Sequence, residues 1–197
     1  MDDASPGRTV SFIAMKDGTY DDYQLLHGNE VAYAAGQADR VLGALKLLEG
    51  SYGGYKVSRL THSLQSATRA ERDGADDELV LAALVHDIGD VLAPHNHSEI
   101  ATAILRPFVR PEVTWIVEKH GLFQMYYYAH HLGWDQHARE MERGHKWFDA
   151  CANFCERWDQ SCFDPNYDTK PLEHFAPLVH DILARPPHDP KYVKVGI

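Results

Sequence analysis

DDELVLAALVHDIGD, residues Asp76 to Asp90, decides the fold class. Asp76 is placed to cap a helix whose Leu79, Ala82, Ala83 and Val85 fill one face or more. That helix runs into His86 and Asp87 and stops at Gly89. Upstream, a second helix is predicted over Ser58–Arg72, closed by Gly74. Before it, the loop GSYGGY (Gly50 to Tyr55) carries two tyrosines. It breaks an earlier helix, Ala32–Glu49, in which Val41, Leu42, Leu45 and Leu48 recur at helical spacing. Downstream, Asn96 with Glu99 reads as a capping-box variant for a helix Glu99–Leu105. Pro111 suits the first turn of another, ending at His120 and Gly121. More helix is expected near Leu122–Leu132, at His145–Trp158 and at Pro171–Ala184. With no run of alternating strands and no internal repeat, the reading is all-α, a four- or five-helix core with loops at one end.

The helical domain is expected over residues 31–184. Residues 1–30 form an N-terminal extension that starts as a frayed tail, Met1–Gly7. Its short apolar patch, Val10–Met15, suits a strand or a helix turn. Residues 185–197 are proline-rich and expected to be extended. At 197 residues, 44% hydrophobic and 24% charged, the chain is long enough to bury a core without disulfides. A net charge of −10 works against nucleic acid and anionic membranes, so the expected partner is a small molecule. Cys151, Cys155 and Cys162 are too few, and odd in number, for a disulfide framework. Cys151 and Cys155 share a helix face; zinc is one reading, but no second cysteine pair exists and small buried hydrophobes is the other. With no signal-like start and no apolar run of bilayer length, the expected location is the cytoplasm.

Histidine occurs 13 times, and position matters more than count. His62, His86, His97 and His120 each fall within or at an end of a predicted helix. Asp87 adjoins His86, and Asp159 closes HKWFDACANFCERWD. Neutral imidazoles and carboxylates suit a borderline divalent ion, and a carboxylate such as Asp87 can bridge two cations. Helices projecting His and Asp inward make a dinuclear cradle in a bundle.

LAALVHDIGD (Leu81–Asp90) resembles the signature of the HD-domain superfamily of metal-dependent enzymes. HSLQSA, HSEIATAIL, EKH and RWD resemble its dinuclear oxygenase branch, which includes the hydroxyphosphonate dioxygenases and, more distantly, myo-inositol oxygenase. The resemblance spans Tyr52 to Asp159. It implies an all-α HD-domain bundle holding two irons, mixed-valent Fe(II)/Fe(III), with O2 as co-substrate. By motif, His62, His86, Asp87 and Asp159 would hold one iron. Asp87, His97 and His120 would hold the other, with Asp87 bridging. His95 competes with His97; the segment SEIATAIL that follows favours His97.

The phosphonate enzymes carry a tyrosine on a loop before the first histidine, and Tyr52 stands in its place. As a phenolate it would cap the second iron until substrate arrives. Tyr55 stands where they place a glutamate suited to a primary amine. An aromatic face there favours a quaternary ammonium, and Tyr126 to Tyr128 add three more rings. Asp90, Gln124 and Glu156 occupy positions where those relatives are basic. Candidate substrate residues are therefore Asp90, Gln124, Tyr127, His131, Arg143 and Lys146, with Arg139, His130 and His145 as neighbours. The implied function is O2-dependent cleavage of the C–P bond of a 1-hydroxyphosphonate, most specifically a trimethylammonio substrate giving glycine betaine. The alternative is phosphoester hydrolysis, the commoner activity of the superfamily, in which Asp90 would serve acid/base chemistry.

Overall fold

The computed structural model describes residues 7–187, which are helical with no strand among them. The chain divides into two compact units, whose described parts are residues 7–37 and 38–187. The ends Met1–Pro6 and 188–197, where most of the expected C-terminal tail falls, lie outside the described residues.

In the first unit, helix α1 (Tyr20–Ala35) replaces the mixed segment expected before Glu30. Its residues carry no periodic apolar stripe, so sequence spacing does not reveal it. A reciprocal cap starts it instead. Thr19 accepts from the Asp22 amide, and the Asp22 carboxylate accepts from the amide and hydroxyl of Thr19 and from both groups of Ser11, at 2.7–2.9 Å. The backbone donor of Thr19 leads in holding this carboxyl well below the usual Asp range. The stabilisation it brings is present above the unfolded-state value near pH ~4 and is lost as pH falls through the lower folded value. Asp22→Ala is expected to unprotect the amides of the first turn of α1 in hydrogen exchange and to leave the second unit unchanged.

The second unit is built around α4 (Asp77–Val85), whose residues Val80 to Val85 are all buried. A helix apolar all round belongs at the centre of a bundle. Asp76 caps it through the amides of Glu78 and Leu79. α3 (Arg59–Arg72) packs along α4 and is capped by Ser58. α2 (Gln37–Lys46) buries Ala38, Val41 and Leu45. α5 (His97–Leu105) packs on α6 (Pro111–Tyr128), which packs on α7 (Phe148–Phe154). α8 (Leu172–Leu183) lies against α4. No helix among the described residues is long and apolar enough to cross a membrane.

Three local departures from expectation bear on the site. The Asn96 side chain donates to Glu99 (3.0 Å) rather than capping the backbone. α6 continues through Gly121 to Tyr128 instead of ending there. At the end of α7 the chain widens into a π-turn, Cys155–Asp159, closed by a hydrogen bond from Gln160 N to Cys155 O (3.0 Å). The extra residue resets the helical phase and buries both Trp158 and Asp159.

Candidate metal centre

Five elements meet at one point beneath a cavity of about 480 Å³. α3 brings His62 in its first turn. α4 delivers His86 directly after its last residue, Val85. Asp87 follows at φ −102°, ψ 8°, as the chain turns into a tight 3-10 turn, Ile88–Val91. The π-turn delivers Asp159. α5 starts at His97, and His120 lies within α6.

The donor atoms form two cages that share Asp87. In the first, His62 Nε2 and His86 Nε2 stand 3.1 Å apart, and each lies 3.3–3.6 Å from Asp87 Oδ2 and Asp159 Oδ1. In the second, His97 Nε2, His120 Nε2 and Asp87 Oδ1 form a triangle with edges of 3.3 Å. Ligands held about 2.1 Å from an ion stand roughly 3.0–3.4 Å from one another in octahedral or tetrahedral arrangements, so both cages have the span of one ion each. His95 is exposed, and it is His97 whose ring nitrogen closes the triangle.

The tautomers follow from the hydrogen bonds. Nδ1 of His62, His86, His97 and His120 faces the backbone carbonyls of Cys162, Ala83, Pro94 and Val117, at 2.6–3.2 Å. Each ring therefore donates through Nδ1 and directs the lone pair of Nε2 inward, as metal-binding histidines do. Lone pairs facing each other at 3.1 and 3.3 Å repel unless a positive charge lies between them. Asp159 Oδ2, buried, has no hydrogen-bond partner among the described residues. Both observations fit a pair of metal ions. The donors are nitrogen and oxygen only, a set that suits iron, manganese or zinc. The Cys155 and Cys162 thiols are turned toward the carbonyls of His120 (3.6 Å) and Trp158 (2.8 Å).

Electrostatics reinforce the geometry. Burial opposes charge on His62 and His86, but the Asp159 and Asp87 carboxylates outweigh it and raise both imidazole pKa values. Burial likewise opposes charge on Asp87 and Asp159, and the imidazoles outweigh it, holding both carboxyls low. Asp90 is raised, by burial and by the neighbouring Asp87. The field that draws protons to the imidazoles also draws cations, so metal uptake displaces protons. The first cage has four protein donors, of which His62, Asp87 and Asp159 line the cavity. The second has three; the His97 side chain is 24% exposed, and His97 and His120 line the cavity.

Of the candidate substrate residues, Asp90, Gln124 and Tyr127 line the cavity, as does Tyr55. His120, Gln124, Tyr127 and Tyr128 share one face of α6 by their spacing. Burial, chiefly, pushes the Tyr127 phenol up to about 12, so it stays a neutral donor. Tyr52 is half-exposed and does not line the cavity. His131, Arg143 and Lys146 are not brought to it either. The His131 ring lies tilted against His130 (3.9 Å between centroids), Arg143 pairs with Glu140 (2.6 Å), and Lys146 lies over the Trp147 ring (4.3 Å). The continuation of α6 carries this segment away, since the eight residues from His120 to Tyr128 add about 12 Å of helix.

Sequence reading missed Arg59, Ser58, Gln160 and Phe163, all of which line the cavity; Tyr128, one of the three rings it offered for an aromatic cage, does line it. Arg59 had a signal, for it stands three residues before His62 on the same helix. Phe163 had none. Its ring lies between His62 and Tyr55, stacked on each at 4.6 Å.

Comparison with known proteins agrees with this geometry. The family model of the HD domain matches residues 59–160. The 1-hydroxy-2-(trimethylamino)ethylphosphonate dioxygenase (glycine-betaine-forming) of Leisingera caerulea is 30% identical to this chain over 114 residues. The match covers 52% of this chain and 55% of that protein, so the chain spans about half the length of the curated relative it matches.

Proposed function

Since the chain belongs to the HD-domain family, we propose that it is a diiron oxygenase that cleaves the C–P bond of a small 1-hydroxyphosphonate, with 2-trimethylamino-1-hydroxyethylphosphonate as its best substrate. The observation that carries the reading is the split of Asp87, one oxygen to each of two histidine cages at the floor of an aromatic-walled cavity. The similarity to a dioxygenase supports the choice of chemistry. In the balanced reaction the C–P bond breaks, the carbinol carbon becomes a carboxylate and phosphorus becomes phosphate. O2 is the four-electron oxidant, and one proton is released.

When bound, the two irons would activate O2 and take the substrate's hydroxyl oxygen. The protein's own part is to hold, orient and exclude. The Nδ1–carbonyl bonds fix four imidazoles in the metal-binding tautomer. Phe163 and Tyr55 cover the His62 side and keep water off it. Both faces of Phe163 are occupied, so a quaternary ammonium would meet the outer face of Tyr55 and the rings of Tyr127 and Tyr128. Gln124 and the protonated Tyr127 offer hydrogen-bond donors to the substrate's oxygens. Tyr52 would reach the second cage by movement of its loop, where Gly53 and Gly54 hold positive φ angles of 55° and 94° that only glycine adopts readily.

The hydrolase alternative is favoured by one feature, the Asp90 carboxylate lining the cavity beside His97 (3.4 Å). The two are separated by supplying the iron-loaded protein with 2-trimethylamino-1-hydroxyethylphosphonate in an oxygen electrode. The oxygenase consumes one O2 per phosphate released and is silent under argon. Turnover of phosphate esters under argon, with no O2 uptake on the phosphonate, would replace this reading by the hydrolase.

A further inference from the structure

We propose that Arg59 is the anion-binding residue of this cavity, docking a tetrahedral phosphorus oxyanion on its guanidinium while Asp90 competes for the same group. The inference deepens the preceding reading and rests on it only in requiring an anionic substrate at this site.

Among the described residues that line the cavity, Arg59 is the one arginine or lysine; Asp87, Asp90 and Asp159 are acidic and Gln124 and Gln160 are neutral. Ser58 caps α3 and so sets Arg59 at its first position, one turn before the metal-binding His62 and on the same face. A guanidinium offers five N–H donors in a planar fork. Here Nε donates to Ser51 Oγ (3.1 Å) and Nη1 to Asp90 Oδ2. Nη2 has no hydrogen-bond acceptor among the described residues. The other oxygen of Asp90 stands 3.4 Å from His97 Nδ1, and Asp90 holds Arg59 through one oxygen, which leaves part of the fork open.

The position suits a substrate with two unlike ends. Arg59, Asp90 and His97 stand in a row that ends at the second cage. The stacked rings of Phe163 and Tyr55 stand over His62, at the first cage, and Tyr128, whose phenol pKa is raised chiefly by burial and then by nearby Tyr55 and Asp159, lines the same cavity. An oxyanion on Arg59 would therefore sit on the His97 side, with the aromatic rings left for the other end of the molecule. An arginine fork binds phosphorus oxyanions bidentately, which a single surface cation does not.

The test titrates methylphosphonate into the metal-loaded full chain by calorimetry, with metal content measured on the same samples. Arg59→Gln is expected to keep both metal ions and to weaken binding roughly tenfold to a hundredfold. Asp90→Asn is expected to tighten binding, because the competing anion is gone. Opposite signs set anion binding apart from a structural role, since breaking the same ion pair from either side would otherwise act alike. Arg143→Gln, outside the cavity, should match wild type. Unchanged affinity in Arg59→Gln at full metal content would overturn the assignment. If Arg59→Gln does not fold, Asp90→Asn decides alone: tighter binding supports the assignment, and unchanged or weaker binding at full metal content overturns it. The oxygenase reading fails separately, if wild type binds methylphosphonate through Arg59 yet takes up no O2 with a 1-hydroxyphosphonate.

Discussion

Asp87→Ala is expected to take the protein from two metal ions per chain to one at most, and to abolish turnover. Two divalent cations about 4 Å apart repel by about 17 kcal/mol at an effective dielectric of 20. Only an anion placed between them offsets that, and Asp87 is the carboxylate with an oxygen in each cage. Its loss leaves the second cage with two imidazoles and no carboxylate. The first retains His62, His86 and Asp159, enough to hold an ion weakly. Removing an outer partner of a metal ligand already costs roughly tenfold to a hundredfold in affinity, and a shared ligand should cost more. Atomic absorption on protein loaded at several metal concentrations checks this. Two ions retained at wild-type affinity would show that Asp87 does not bridge.

Gly89→Ala should be nearly as severe, and selective. A Cβ on Gly89 would collide with the carbonyl oxygen of His97 and stand 2.6 Å from its Cα. Both are backbone atoms, so relief requires the start of α5 to move. The start of α5 is what presents His97 to Asp87, and a shift of about an ångström opens a triangle whose edges are 3.3 Å. The expected variant keeps one ion in the first cage and loses the second. Overpacking of this kind costs roughly 1–3 kcal/mol, or a fall in Tm of about 2–12 °C for a domain of this size. Gly121→Ala is the control. It adjoins His120, but its Cβ would meet only Ser98 Oγ at 3.6 Å, an ordinary contact, and helix propensity favours alanine there. If Gly89→Ala retained both ions and wild-type Tm, close packing against His97 would not be what the HDIG turn requires glycine for.

What the sequence disclosed follows from how each feature is encoded. α4 was legible because an apolar run with polar residues only at its ends has one place in a bundle, and the His-Asp pair at its end fixed where the site lies. The four histidines of the cages were legible by order along the chain, and the pairing of His97 rather than His95 needed the neighbouring pattern. α1 was hidden because its start is set by the Ser11, Thr19 and Asp22 hydrogen bonds rather than by apolar spacing. The course of α6 was misread because Gly121 suggests a stop, yet its φ is not positive and the helix passes through it. That single extension removes His131, Arg143 and Lys146 from the cavity and brings Tyr128 to it. Phe163 reaches the site by a turn after Asp159 that leaves no periodic trace. The π-turn that aims Asp159 inward is equally silent, since one added residue in a helix does not alter composition.

The most direct test of a carboxylate-bridged iron pair is low-temperature EPR of iron-loaded, partly reduced wild-type protein, with iron counted on the same sample. Two irons per chain and a signal from an antiferromagnetically coupled Fe(II)/Fe(III) pair, altered by a 1-hydroxyphosphonate, is the predicted result. Full iron content with only isolated high-spin ferric signals, indifferent to the phosphonate, would contradict the shared Asp87 on which the account rests.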